Sequence, residues 1–136
     1  MLPESLTTFG KCAFNGCTSL KSIVIPQGVT TLDELDFYGC TSLESIVIPG
    51  SVTTIGDQAF HGCTSLASIA IPNGVTTIGD CAFKGCKSLA SIVIPDSVTA
   101  IGIDAFYGWF ILLLIRFENG MPGHVVCFVL QFCADD

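Results

Sequence analysis

One spacing, a constant step of 23 from each copy of a residue to the next, runs through most of the chain. Phe14, Phe37, Phe60, Phe83 and Phe106 obey it, as do Pro3, Pro26, Pro49, Pro72 and Pro95, and Gly16, Gly39, Gly62, Gly85 and Gly108. Leu20, Leu43, Leu66, Leu89 and Leu112 keep the same step, and so do Ile23, Ile46, Ile69, Ile92 and Ile115. Two further columns are apolar with changes of identity: Leu6, Val29, Val52, Val75, Val98 and Phe9, Leu32, Ile55, Ile78, Ile101. A unit of this length cannot bury its own apolar side chains. Stacked copies can, because each column becomes a ladder of like residues inside a coil. The step therefore demands a solenoid.

Local patterns fill in the unit. "SIVI" alternates small polar and large apolar residues with a period of two, which reads as a strand, and the proline after it ends the pairing. "VTTIG" is a second, shorter extended stretch closed by glycine. "DQAFHGC" and "DCAFKGC" open on Asp57 and Asp80, which read as N-caps of a single helical turn. The expected unit is strand, turn, short strand, short helical turn.

The spacing Leu-x-x-Ile-x-Ile-Pro, as in Leu66 to Pro72, followed by Val75, Ile78, Ala82-Phe83 and Cys86, resembles the BspA-like leucine-rich repeats over about residues 3–117. The resemblance implies an α/β, β-rich leucine-rich-repeat solenoid of about five 23-residue units, with a parallel concave sheet, short second strands and short helical turns. It also implies a protein-binding repeat region of a surface or secreted protein, adhesin-like in some members. Met1-Leu2-Pro3-Glu4 shows neither the basic start nor the apolar core of a signal peptide, so the surface or secreted location rests on the resemblance alone.

The pattern breaks in two places. In the second copy Asp33 stands in a glycine column and Asp36 in an alanine column. Burying a lone carboxylate is expensive, so Asp36 is expected to turn outward. After Gly120 the register fails: His124 and Gln131 fall where an apolar residue and a glycine are due. The chain thus divides into a solenoid over 1–120 and a degenerate tail or cap over 121–136. Residues 109–136 read either as an apolar strand pair that caps the last rung or as a degenerate or misread end of a longer gene.

Composition removes several function classes. The formal net charge is −7, with five basic residues that form no run. Nucleic-acid binding and a polybasic membrane patch both need clustered Lys and Arg. The apolar run 109–115 is far short of the roughly 20 residues a membrane-spanning helix needs.

Cysteine is the obvious suspect for chemistry, with eight copies. Cys17, Cys40, Cys63 and Cys86 share one column. Rungs of a parallel sheet lie about 4.8 Å apart, whereas zinc requires each sulfur about 2.3 Å away, so one metal cannot collect the column. These four read as buried reduced thiols, although neighbouring rungs are close enough for a disulfide given suitable side-chain directions. Cys12 and Cys81 lie in a variable column without a histidine nearby in sequence, and an activated thiol needs a base or a cationic setting. His61 belongs to the varied column Asn15, Tyr38, His61, Lys84, Tyr107, which reads as surface. No catalytic, cofactor-binding or metal site is expected, and no cofactor.

What remains is surface. With the isoleucines of SIVI taken by packing, the outward residues are Ser22, Val24, Ser45, Val47, Ser68, Ala70, Ser91 and Val93, a stripe of small uncharged side chains. By analogy with leucine-rich repeats it is the candidate binding face for a protein partner. Five rungs by four strand residues make roughly 300 Å² on strand spacings, against about 800 Å² per partner in a standard interface. Such a face needs a longer array or several copies for useful avidity. The competing expectation is a structural spacer that self-associates through exposed end rungs and has no specific ligand.

Overall fold

In a computed structural model, residues 1–108 and 115–120 are described. Taking each copy from its proline, the rungs are residues 3–25, 26–48, 49–71, 72–94 and 95–117. Two strand sets form. The SIVI segments give β1 (Ser22–Val24), β3 (Ser45–Val47), β6 (Ile92–Ile94) and β8 (Ile115–Phe117); the TT segments give β2 (Thr31–Leu32), β4 (Thr54–Ile55), β5 (Thr77–Ile78) and β7 (Ala100–Ile101). Every pairing is parallel, and each residue faces its counterpart in the next copy, as Ile23 does Ile46 and Ile55 does Ile78. The step in the sequence is the register of the sheet. Because β8 pairs Ile115 with Ile92, that register holds through residue 117. The expected tail or cap over 121–136 lies outside the described residues.

Between the faces the columns pack as ladders. Phe14, Phe37, Phe60, Phe83 and Phe106 form a continuous stack, with centroids 5.1, 5.3, 5.4 and 5.7 Å apart and planes within 6° of parallel. Each such pair adds about 0.5–1.5 kcal/mol beyond area burial. The Cys column lines the same core: Cys40, Cys63 and Cys86 are buried, reduced thiols. Each donates to the carbonyl of a phenylalanine on the preceding rung, Phe14, Phe37 and Phe60, at 3.0–3.1 Å. Inward placement of the SIVI isoleucines is as expected.

The expected helical turns are not present: no helix occurs among the described residues. The reason lies at Cys12, Leu35, Gln58, Cys81 and Asp104, which hold φ between +54° and +62°. A residue in that left-handed region ends a right-handed turn and costs about 1–2 kcal/mol. In return, alternate amides leave the local turn and pair with the next rung. Gln58, Phe60 and Gly62 donate to Asp80, Ala82 and Lys84 carbonyls, each at 2.8 Å. Three bonds of about 1 kcal/mol net outweigh one strained residue. The AFxGC segments therefore make a third inter-rung ladder, and the solenoid is a β-repeat rather than α/β.

The same geometry relocates the caps. Asp57 does not cap its own turn. Its Oδ1 accepts the Asp80 N–H of the next rung at 2.8 Å, and Asp80 Oδ1 accepts the Ile103 N–H at 2.7 Å. The rungs approach so closely that a Cβ on Gly56, Gly79 or Gly102 would run into the main chain of the preceding rung, and at Gly79 and Gly102 into the Asp57 and Asp80 carboxylates as well, which explains the glycine column. Asp33 stands in this column where the ladder bond to the preceding rung is not made, its N–H donating to Asp36 Oδ2 instead.

Asp36 overturns the expectation that it faces solvent: it is 0% exposed. In later rungs the residue aligned with Asp33 donates to the preceding TT strand, as Gly56 does to Leu32 and Gly79 to Ile55 at 2.8 Å. Asp33 instead donates to Asp36 Oδ2 at 2.7 Å, while Ala13 of the first rung donates to Asp36 Oδ1 at 3.2 Å. The four-stranded sheet accordingly begins at β2, in the order β2-β4-β5-β7. The first rung joins the second through its other two faces. Desolvation raises the Asp36 carboxyl above its ordinary value, opposed by the two amide bonds and reinforced by the neighbouring Asp33 charge.

Candidate interaction surface

All eight residues of the expected binding face are exposed. Their valines are unusually bare for β-branched side chains: Val24 is 62% exposed, Val47 57% and Val93 51%. Parallel pairing sets Ser22 beside Ser45 and Val24 beside Val47. At the other end Val93 pairs with Arg116, so an arginine belongs to this face. Sequence reasoning missed it, although one further step along the column from Val93 finds it.

The third rung departs from the expected continuous sheet. Residues 68–71 form no strand, so the SIVI face consists of two paired segments, β1-β3 and β6-β8, on either side of it. Across this rung the main chain is held by two long contacts, Ala67 N–H to Glu44 at 3.3 Å and Ala90 N–H to Ala67 at 3.4 Å. Ala70 stands here where neighbouring copies carry Val, and alanine is a weak strand residue that leaves the pleated surface thinly covered. A groove of about 310 Å³ results, lined by Ser68, Ala70, Ser91 and Val93 among others, with Ile69 and Ile71 also lining it and Glu118 contributing. The groove joins Ser68 and Ala70 to Ser91 and Val93. Hydrogen bonding at its edge is modest, with Asp96 N–H donating to Glu118 Oε2 at 3.3 Å.

The core thiols are protonated rather than activated. Burial raises the Cys40, Cys63 and Cys86 thiols, Cys86 to about 12. Cys81 is raised as well, chiefly by desolvation, with the Lys84 charge opposing and nearby aspartates adding. A thiol shifted this way holds its proton at physiological pH, whereas a nucleophile needs the opposite shift. Among the described residues no group of three or more His, Cys, Asp or Glu could hold a metal ion, and no helix is long and apolar enough to cross a membrane.

Comparison with known proteins agrees with this architecture. Residues 1–111 match the family model of the BspA type leucine rich repeat region, in six copies. A leucine rich repeat protein of T. pallidum is 37% identical, with a TM-score of 0.75 over 77% of this chain and 51% of its own. One from Bacteroides ovatus is 36% identical, with a TM-score of 0.77 over 88% of this chain and 33% of its own. A third, described as a leucine rich cell surface protein, comes from Faecalibacterium prausnitzii; it is 31% identical, with a TM-score of 0.63 over 85% of this chain and 38% of its own. This chain thus spans about half the length of the first and about a third of the second. No curated protein sequence matches it.

Proposed function

This chain belongs to the BspA-type leucine-rich-repeat family, and on that premise we propose that it is a non-enzymatic protein-interaction module of a cell-surface or secreted, adhesin-like repeat array. The partner docks on the SIVI face through Ser22, Val24, Ser45, Val47, Ser68, Ala70, Ser91 and Val93. The observation that carries the reading is the row of bare valines, since a β-branched side chain left about half exposed or more on a paired sheet is apolar area waiting to be covered. Likeness to a cell surface protein supports the location. The groove beside Ala70 supplies the depression that a central interface residue needs.

The test is substitution of Val47 and Val93 by lysine. Both side chains point to solvent, so the melting temperature stays within about 2 °C, while capture of surface-exposed proteins by the immobilised chain is lost. Undiminished capture places the contact elsewhere. A second reading is a structural spacer that self-associates and has no specific ligand, the bare valines being covered by a second copy of the chain. It requires concentration-dependent mass in sedimentation, and a monomer across the accessible range excludes it.

A further inference from the structure

Three sulfurs of the core are placed alike. Cys40, Cys63 and Cys86 each donate the thiol proton to a phenylalanine carbonyl on the preceding rung, at 3.0, 3.1 and 3.1 Å. One side-chain direction therefore repeats on all three rungs. The rungs stack here by nearly pure translation, since Phe37, Phe60 and Phe83 lie within 4° of parallel at 5.3 and 5.4 Å. Identical directions on translated rungs set the three sulfurs in a row, spaced by the rung distance of about 4.8 Å.

That spacing rules out a shared tetrahedral site, and among the described residues no group of three ligands converges. It fits a different coordination. Half of it, about 2.4 Å, is close to a metal–thiolate bond of about 2.3 Å. An ion midway between two successive sulfurs would hold both in line. Thiolate selects soft ions, copper(I) among them, and a univalent ion with a filled d shell accepts two ligands in a straight line. Zinc calls for four in a tetrahedron.

The surroundings suit an ion that displaces protons. The carbonyls of Phe14, Phe37 and Phe60 also accept the N–H groups of Cys17, Cys40 and Cys63, at 3.1, 3.2 and 3.1 Å, so none is orphaned when a thiol proton leaves. Burial raises all three thiols, and these same amides oppose it, being within reach of the sulfurs. The next thiol of the column, Cys17, is partly exposed, which gives the row an approach from solvent.

We propose that the Cys40–Cys63–Cys86 row binds soft univalent metal ions of the copper(I) class, each held in line between two successive sulfurs. Binding is proton exchange without a redox step: two thiols and one M⁺ give a linear S–M–S dithiolate of charge −1 and two H⁺. A second ion shares the Cys63 sulfur and releases one more proton. The site has no residue in common with the SIVI face and does not depend on it.

Silver(I) is the probe, because it stays univalent in air. It is titrated into the reduced full chain with Cys12, Cys17, Cys81, Cys127 and Cys133 replaced by serine, whose fold is checked by circular dichroism. Native mass spectrometry should find two silver ions on this chain, with a raised melting temperature. Cys40→Ser and Cys86→Ser should each retain one ion. Cys63→Ser should retain none, because Cys40 and Cys86 are about 9.6 Å apart and two metal–sulfur bonds span about 4.6 Å. The serine hydroxyl can still donate to the Phe37 carbonyl, which keeps that variant folded. Affinity for the first ion should rise about 100-fold per pH unit, tenfold for each proton released. A folded parent that takes up no silver overturns the proposal. So does a Cys63→Ser variant that keeps its silver, or a Cys40→Ser or Cys86→Ser variant that loses all of it.

Discussion

Replacing Asp36 by alanine returns the residue that its column carries at Ala13, Ala59, Ala82 and Ala105, yet the change should destabilise the protein. The fully buried carboxylate accepts two main-chain amides, at 2.7 and 3.2 Å. Two charge-assisted bonds are worth about 1.5–3 kcal/mol each, and the effective cost of burying the ion is several kcal/mol, so these contributions nearly cancel. The substitution then leaves the Asp33 and Ala13 N–H groups without acceptors, at about 1–3 kcal/mol each where water cannot reach them. The expected cost near neutral pH is about 2–3 kcal/mol on that basis, read by urea denaturation. Asp33→Gly combined with Asp36→Ala should recover most of it. Glycine lets the first rung close into the ladder geometry of later copies, with residue 33 donating to Phe9 as Gly56 does to Leu32. Coupling in that double-mutant cycle should reach about 1–3 kcal/mol. The pH dependence carries the sign. Because burial raises the folded-state carboxyl above 3.8, the folded protein holds the proton more tightly than the unfolded chain. The Asp36 contribution is therefore fully present below about pH 3.8 and is lost as pH rises through the raised folded-state value. Asp36→Ala must then cost more in acid than at pH 7. A cost that shrinks on acidification, or a double variant that is merely additive, would refute the reasoning.

Phe60 stacks between Phe37 and Phe83 at 5.3 and 5.4 Å and is fully buried, so Phe60→Ala should cost about 3–5 kcal/mol, checked by chemical denaturation; a loss under about 1 kcal/mol would mean the ladder collapses to fill the space. Thiol labelling of the native protein should modify exposed Cys12 while Cys40, Cys63 and Cys86 stay protected, since these three are buried and raised, and mass spectrometry after a short pulse of iodoacetamide distinguishes them.

Legibility in the sequence followed one physical rule. Where a residue's neighbours are its own copies, the column predicted its fate: the phenylalanine stack, the buried thiols, the inward isoleucines and the parallel register were all readable, because each rung meets the next at a constant step. Where a neighbour is not a copy, column reasoning failed. Asp36 looked misplaced because alanine surrounds it in sequence register, whereas its partners are two amides, the Asp33 N–H left by a missing ladder bond and the Ala13 N–H of the preceding rung. The helical turns failed for a different reason. Asp57 and Asp80 are good capping residues, and the local pattern suits a turn. Pairing with the next rung pays for a left-handed residue in every copy, and that preference is invisible to local propensity. On the candidate face, exposure of the eight residues was legible; the break at 68–71 was signalled only by alanine at position 70.

The two exposed faces differ in what they can specify. On the SIVI face each rung repeats nearly the same serine and valine, so a partner shifted by one rung meets almost the same surface; contacts there can supply apolar area but little register. Ala70 and Arg116 are its only departures from that repetition among the described outward residues of the third and fifth rungs. The AFxGC stripe is the reverse. Its buried neighbours repeat, but Asn15, Tyr38, His61, Lys84 and Tyr107 make each rung differ from the rungs beside it, on a frame of short hydrogen bonds. Register on a repetitive scaffold has to come from the columns that do not repeat, because discrimination is a difference between the intended contact and the shifted one. A partner that touched only the valines would be free to slide by about 4.8 Å; one that also touched this varied column would not, since the rung beside each of its residues offers a different side chain.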